Sequence, residues 1–123
     1  MILVQDQVFR LDTKSTTYLF RVTKFGHLEH IYYGPLLPAG ESAAVLAQKR
    51  TIALGNSVVY DEADELYCLD RMYLEWSDNG RGDYRQSPTE LKMPDASFVS
   101  DFVYTSHQIS DGTVPMGTLP SAY

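Results

Sequence analysis

The stretch Ser-Thr-Thr-Tyr-Leu-Phe-Arg-Val-Thr, residues 15–23, decides the fold class. Its side chains alternate, so that Tyr18 and Phe20 fall on one face of an extended chain and Leu19 and Arg21 fall on the other. A period of two in aromatic and β-branched residues is typical of a strand with one face toward a core. We therefore predict a strand here, with its aromatic face inward.

Similar runs follow along the chain. Residues 27–33 come after a turn at Phe25-Gly26 and end at Gly34-Pro35, and residues 98–104 alternate again. Shorter predicted strands are Val8–Leu11, Val58–Tyr60, Tyr73–Trp76, Glu90–Met93 and His107–Ile109. Many short strands separated by turn residues predict a mostly β fold, an antiparallel β-sandwich. The residues expected to be buried are Tyr18, Phe20, Leu28, Ile31, Phe102 and Val103.

One stretch has the composition of a helix. Residues from Glu41 to Arg50 are mostly good helix formers, and Lys49 and Arg50 suit the negative end of a helix dipole. So short a helix would be marginal alone. We predict one short connecting helix over residues 41–50.

The composition is that of a folded, acidic chain. Its 123 residues are 44% hydrophobic and 21% charged, which suits one domain or part of one. Sixteen acidic against 10 basic residues give a net charge of −6, which argues against nucleic acid or an anionic membrane as the main partner. No apolar run approaches the ~18 residues of a membrane span, and the N-terminus lacks the basic start of a secretory signal. We expect a cytoplasmic protein.

Cysteine and histidine give no sign of a metal site. Cys68 is a single cysteine, and no group of Cys and His has zinc spacing. His27 and His30, three apart in a predicted strand, would point to opposite faces and could not share an ion without a bulge. We expect no cofactor, and a structural role for both histidines and for His107.

Several short strings follow one another in a fixed order over nearly the whole chain. They are Thr16-Thr17-Tyr18, Gly26-His27-Leu28 with His30-Ile31-Tyr32-Tyr33-Gly34, Leu69-Asp70 with Leu74-Glu75-Trp76, Gly80 to Arg85, Val99 to Tyr104, His107-Gln108-Ile109, and Gly117 to Tyr123. Each string is weak alone, but the ordered set is specific. On these strings the chain resembles the N-terminal β-sandwich domain of glycoside hydrolase family 36 α-galactosidases.

The resemblance implies an enzyme with a large N-terminal sandwich, a central (β/α)₈ barrel and a smaller C-terminal β-domain. Two aspartates on the barrel would carry out retaining hydrolysis of terminal α-galactosides such as those of melibiose and raffinose. Because such a barrel needs roughly 250 residues, we expect residues 1–123 to be an incomplete N-terminal sandwich, inactive alone. The implied partners are the protein's own barrel, neighbouring subunits of a homo-oligomer, and an α-galactoside oligosaccharide bound by the full enzyme.

The acidic run from Asp61 to Glu65 is a tempting catalytic site. Adjacent carboxylates in a loop would not face each other across a sugar, and the run lacks the Gly and Glu of a calcium loop. We interpret the run as a solvated loop. The resemblance nevertheless implies that the region from Arg50 to Glu65 reaches a neighbouring subunit's active site. We name Arg50, Tyr60 and Asp61 as candidate substrate-edge residues, and assign no catalytic or metal-binding residue.

Two further motifs have simple interpretations. Arg81-Gly82-Asp83 has the letters of an integrin tripeptide, but a tight turn followed by an ion pair of Asp83 with Arg85 explains it better. The many aromatic residues could also form a sugar-stacking platform. A free-standing carbohydrate-binding module, which would need an exposed aromatic row, therefore stays open, as does a purely structural interaction domain.

Overall fold

The computed structural model describes residues 1–51, 58–112 and 117. Its strands are β1 (Ile2–Gln5), β2 (Val8–Asp12), β3 (Thr16–Val22) and β4 (Leu28–Pro35), followed by helix α1 (Ala43–Leu46) and a 3₁₀ turn at Leu69–Arg71. The strands form one antiparallel sheet in the order β1-β2-β3-β4. The predicted mostly β, antiparallel fold with one short helix is confirmed. No helix in the described ranges is long and apolar enough to cross a membrane.

Tight turns set the register of the sheet. Asp6 and Gln7 both have positive φ, 49° and 61°, which makes the two-residue hairpin turn that suits the twist of β1 and β2. The Thr13 hydroxyl accepts hydrogen bonds from the backbone N–H groups of Ser15 and Thr16, closing the turn before β3. Gly26, with φ 91°, lies in the turn between β3 and β4. Each strand is therefore joined to the next by a short local connection.

The sheet buries a different face from the one predicted. Thr17 and Leu19 are 0% and 3% exposed. Residues after β4 cross over this face, and there the Leu37 backbone N–H donates to the Thr17 hydroxyl at 3.0 Å. Arg10, on the same face, donates to the carbonyls of Leu37 and Pro38.

The aromatic face is covered only in part. Phe9 stacks on Phe20 with ring centroids 4.7 Å apart, and Tyr104 and His107 pack edge-on against Phe9. Tyr18, Phe20, Leu28 and Ile31 are consequently only half-buried. The prediction that Phe102 and Val103 are buried is wrong, since each is 46% exposed.

A β-bulge interrupts the pattern of β4. Leu19 pairs with Tyr32 but Phe20 pairs with His30, so that Ile31 is an extra residue in the strand. Such a residue reverses the alternation beyond it. His27 and His30 both precede the bulge, and they have different partners: His27 contacts Tyr67 and Asp101, and His30 contacts Glu75.

The predicted strands after β4 are absent from the described residues. No strand pairing is formed by residues 58–60, 90–93, 98–104 or 107–109. Of residues 73–76, only a short stretch pairs with β4, where the His30 N–H donates to the Tyr73 carbonyl at 2.6 Å. A small cluster of Tyr67, Leu69 and Met72 forms the core of this part, with Phe25, Tyr60 and Leu74 packed against it. Alternation alone does not make a strand where no sheet edge is available to pair with.

The helix is shorter than predicted. It covers Ala43–Leu46 and not 41–50, its N-cap residue Ser42 makes no side-chain capping bond, and none of its residues is buried. Helical propensity without a buried face supports little more than a turn.

Leu19→Ala should lower the free energy of unfolding by about 2–5 kcal/mol, because it removes a fully buried side chain from the centre of the sheet. Urea unfolding followed by circular dichroism measures the change. Val45→Ala is the control, since Val45 is 78% exposed and should change stability by less than about 0.5 kcal/mol. Equal effects of the two substitutions would contradict the assignment of the buried face.

Candidate functional site

The acidic run folds into a compact loop, here called the acidic loop (Tyr60–Tyr67). The Tyr60 N–H donates to the Tyr67 carbonyl at 2.8 Å, and the Asp64 N–H donates to the Asp61 carbonyl at 3.0 Å. The Asp61 carboxylate accepts the Ala63 N–H at 2.9 Å, an arrangement typical of aspartate in turns. The loop therefore closes on itself.

Asp64 joins the acidic loop to two cations. Its carboxylate is 2.6 Å from Lys24 Nζ and 3.7 Å from an Arg50 Nη. The hydrogen bond from Lys24 holds the pKa of Asp64 below its ordinary value, and the charge of Arg50 acts in the same direction. Glu62 and Glu65 are exposed, as expected for a solvated loop.

Arg50 lies at the base of the acidic loop. Its guanidinium carbon is 4.8 Å from the centroid of the Tyr67 ring, a cation–π arrangement. A second carboxylate, that of Glu29 in β4, lies 3.9 Å from an Arg50 Nη. Tyr67 is fully buried, and its burial raises its pKa to about 12.

Tyr60 is held from both sides. Its hydroxyl donates to Asp101 at 2.7 Å, and the guanidinium of Arg81 lies 4.7 Å from the centroid of its ring. Burial, with the hydrogen bond to Asp101, raises the pKa of Tyr60. The hydrogen bond with Tyr60 raises the pKa of Arg81 in turn, and Arg81 is also 3.4 Å from Asp101.

A buried histidine connects these groups. His27 is 4% exposed, with Nδ1 2.8 Å from the Tyr67 hydroxyl and Nε2 2.9 Å from Asp101. The Tyr67 hydroxyl also hydrogen-bonds the Thr23 hydroxyl. The end of the β3–β4 hairpin, the acidic loop and residue 101 therefore share one polar network, which gives His27 structural contacts.

The three predicted site residues lie around this network. Arg50 and Tyr60 both contact the Tyr67 ring, the second with ring centroids 5.6 Å apart. Asp61 follows Tyr60 but turns its carboxylate toward its own loop. Sequence reasoning missed Glu29, Tyr67 and Asp101 as neighbours of these residues. Asp101 occurs in one of the strings of the resemblance, but nothing in the sequence pairs it with His27, 74 positions away.

Three basic residues line a small cavity beside Arg50. It measures about 170 Å³, and its walls are Gln48, Lys49, Arg50, Thr51, Leu66, Arg71 and Met72. Sites that enclose a small molecule are usually ~300–1,000 Å³. The cavity therefore suits the edge of a larger site better than a complete one. Within the described ranges no group of three or more His, Cys, Asp or Glu is arranged to hold a metal ion.

The Arg81-Gly82-Asp83 motif is a tight turn, as predicted. Gly80, Arg81 and Gly82 all have positive φ, and the Asp83 N–H donates to the Gly80 carbonyl at 3.1 Å. A side chain in place of Gly82 would also collide with Val58, since its Cβ would lie 2.8 Å from the Val58 Cβ. The motif is therefore part of the packing.

The ion pair predicted between Asp83 and Arg85 is present, with a distance of 2.9 Å. Arg85 also donates to the carbonyls of Leu69 and Met72. Burial alone would raise the pKa of Asp83, but the hydrogen bonds from Arg85 outweigh it, and the pKa is lowered. The pair therefore ties the turn to the 3₁₀ segment.

Most of the chain matches a known protein family. Residues 26–123 match the glycosyl hydrolase family 36 N-terminal domain. The chain belongs to this family. The resemblance expected from the sequence is thereby confirmed.

Two family 36 relatives are similar over nearly the whole chain. The bifunctional alpha-galactosidase/sucrose kinase AgaSK of Mediterraneibacter gnavus is 28% identical over 95% of this chain and 12% of its own length. The alpha-galactosidase AgaA of Geobacillus stearothermophilus is 24% identical over 97% of this chain and 16% of its own length. The chain thus spans 12–16% of the length of these relatives.

Solved structures share the fold. The galactosidase domain of AgaSK superposes with a TM-score of 0.80 at 24% identity, covering 94% of this chain and 16% of that one. AgaA of G. stearothermophilus, in a variant complexed with raffinose, superposes with a TM-score of 0.73 at 24% identity, covering 82% of this chain and 14% of that one. The fold of this chain is therefore shared with part of each of these structures.

Asp83→Asn should lower the free energy of unfolding by about 1–3 kcal/mol at pH 7, because Arg85 loses a charged hydrogen-bond partner. The folded-state pKa of Asp83 lies below the ordinary aspartate value of about 3.9. The stabilisation is therefore complete above about pH 4 and is lost as the pH falls through the lowered pKa.

Urea unfolding at a series of pH values measures this effect. The acid-induced loss of stability should be smaller in Asp83→Asn than in the unmodified chain. Glu62→Gln, which neutralises an exposed carboxylate, is the control and should leave the pH profile unchanged. A profile for Asp83→Asn that parallels the unmodified one would contradict the role of the ion pair.

Proposed function

We propose that residues 1–123 form a non-catalytic part of the N-terminal domain of an α-galactosidase. In this proposal a (β/α)₈ barrel elsewhere in the full protein hydrolyses terminal α-galactosides of oligosaccharides such as melibiose and raffinose. The match of residues 26–123 to the family 36 N-terminal domain carries the proposal. The names of the relatives, which describe alpha-galactosidases, give the reaction class.

The contacts of the buried carboxylates with other groups of the fold support a non-catalytic role. Retaining glycosidases need two carboxyl groups about 5–5.5 Å apart, facing each other across the sugar bond. The least exposed carboxylates are instead engaged by groups of the fold itself. Glu29 pairs with Arg21, Asp83 pairs with Arg85, and Asp78 accepts the Phe102 N–H at 2.5 Å.

The same proposal gives Arg50, Tyr60 and Asp61 a place at the edge of a neighbouring subunit's active site, in a cytoplasmic homo-oligomer. Arg50 supports this, because its guanidinium makes no hydrogen bond to the described residues and is only partly exposed. Its N–H donors could therefore bind sugar hydroxyls beyond the galactose. Tyr60 and Asp61, at the start of the acidic loop, would lie next to the same sugar.

The alternative of a free-standing carbohydrate-binding module has weaker support. Such a module would present an exposed row of aromatic side chains. On the aromatic face of the sheet Tyr33 is 69% exposed, but Tyr18 packs against Phe20 and Phe20 stacks on Phe9. One exposed ring on this face makes a poor stacking platform, and other exposed rings such as Tyr73 and Tyr84 lie outside the four strands.

Residues 1–123 alone should not hydrolyse an aryl α-galactoside, because the proposed catalytic aspartates lie outside this segment. Release of the coloured phenol by the purified chain tests this, with the full-length protein as the positive control. Turnover that survives further purification and is abolished by Asp61→Asn or Glu62→Gln would contradict the prediction.

Arg50→Ala in the full-length protein should raise the KM for raffinose about tenfold and leave kcat unchanged, as expected for a contact made equally in the ground and transition states. The kinetics of an aryl α-galactoside should change little, since it lacks the sugars beyond the galactose. Lys14→Ala, which removes an exposed cation from the β2–β3 turn, is the control. Unchanged raffinose kinetics in Arg50→Ala would exclude Arg50 from the substrate edge.

A further inference from the structure

Glu29 is a carboxylate buried in the sheet. Its side chain is 1% exposed, and its Oε2 lies 2.7 Å from Nε of Arg21 on the neighbouring strand β3. Its Oε1 has no hydrogen-bond partner among the described residues. Burying a charge is costly unless it is paired, and Arg21 supplies that pairing within the sheet. A second cation, Arg50, nevertheless lies 3.9 Å from the same Oε2.

The guanidinium of Arg50 makes no hydrogen bond to any of the described residues. Its two carboxylate neighbours, Glu29 and Asp64, lie 3.9 and 3.7 Å away, too far for hydrogen bonds but close enough for strong attraction. The guanidinium also stacks over the Tyr67 ring in a cation–π contact. Charge and stacking therefore hold the group, and within the part of the chain that the structure describes its N–H groups are left for a ligand.

Glu29 differs from the other neighbours of Arg50 in where it lies. Asp64 and Tyr67 belong to the acidic loop, whereas Glu29 belongs to β4, which is paired along its length with β3. Of the three contacts, Glu29 is the one that lies within a paired strand, whereas Tyr67 reaches the β3–β4 turn through the hydrogen bonds of its hydroxyl. Asp64 and Tyr67 therefore set the position of Arg50 relative to the acidic loop, and Glu29 sets it relative to β4.

We infer that Glu29 is a positioning residue for Arg50, which holds the guanidinium in place for the hydroxyl groups of an oligosaccharide. The inference rests on the proposed function of Arg50. Glu29 itself touches no substrate, because it is buried beneath the two arginines. Its effect on the enzyme must therefore pass through Arg50.

The test is a double-mutant cycle in the full-length protein. Glu29→Gln keeps the size of the side chain and removes its charge. It should raise the KM for raffinose roughly fivefold, leave kcat unchanged, and leave the kinetics of an aryl α-galactoside unchanged. In an Arg50→Ala background the same substitution should add nothing, because the group it positions is gone. Glu75→Gln, which removes a carboxylate bonded to His30, is the matched control and should change neither KM.

Each outcome separates the two proposals. If Arg50→Ala leaves the raffinose KM unchanged, the proposed substrate edge fails. If Arg50→Ala raises it but Glu29→Gln does not, or if the two effects add, the positioning role is overturned and the substrate edge stands. Loss of kcat on both substrates in Glu29→Gln would show a general structural role and would also overturn it.

A second variant covers the case in which Glu29→Gln leaves Arg21 unpaired and the protein fails to fold. Glu29→Gln combined with Arg21→Gln removes the buried pair together, so that no unpaired charge remains. This double variant should show the same rise in the raffinose KM. Arg21→Gln alone keeps the carboxylate next to Arg50 and should leave the KM unchanged. A double variant that folds with normal KM overturns the inference.

Discussion

The buried hydroxyl of Tyr67 is the contact on which the rest of the arrangement depends. It hydrogen-bonds Thr23 and His27, which lie on either side of the β3–β4 turn, while the Tyr67 ring packs against Phe25, Tyr60 and Arg50. A buried hydroxyl is destabilising unless it is hydrogen-bonded, so the loop has one favourable position on the hairpin. The Tyr60 ring packs against Tyr67 in that position, and Arg50 is held between Tyr67 and Glu29.

In the described residues after β4, carboxylates supply hydrogen-bond acceptors that a second sheet would otherwise supply. After β4 the backbone forms few regular hydrogen bonds, and buried carboxylates accept N–H and O–H groups in their place. Asp78 accepts hydrogen bonds from Trp76, Ser100 and the Phe102 backbone. Asp83 orients Arg85 so that its guanidinium reaches two carbonyls of the 3₁₀ turn. Side-chain hydrogen bonds of this kind can satisfy a backbone that has no strand partner.

The sequence predicted what local patterns can specify and missed what depends on distant contacts. The strands near 15–23 and 27–33 were predictable because alternation is local, whereas β1 escaped because Met-Ile-Leu-Val does not alternate. The alternation of residues 98–104 predicted a strand wrongly, because no sheet edge in the described ranges pairs with it. The sequence also could not predict which face of β3 is buried, because the residues that cover this face, 36–38, lie outside the strand. Arg50, Tyr60 and Asp61 could be named from the resemblance, but their neighbours Glu29 and Tyr67 follow only from contacts across the fold.

The arrangement separates the framework of strands from the loop surface that is proposed to meet a substrate. Strand β4 is held by its pairing with β3 and carries Glu29. Thr23 and His27, on either side of the β3–β4 turn, are the hydrogen-bond partners of Tyr67. Arg50 and Tyr60 contact these groups from segments outside the sheet. Substitutions in the acidic loop can therefore alter the surface without disturbing strand pairing, as is usual for loops on a rigid scaffold. Glu29 and Tyr67 differ from the exposed loop residues, because their contacts join Arg50 to strand β4 and the acidic loop to the β3–β4 turn.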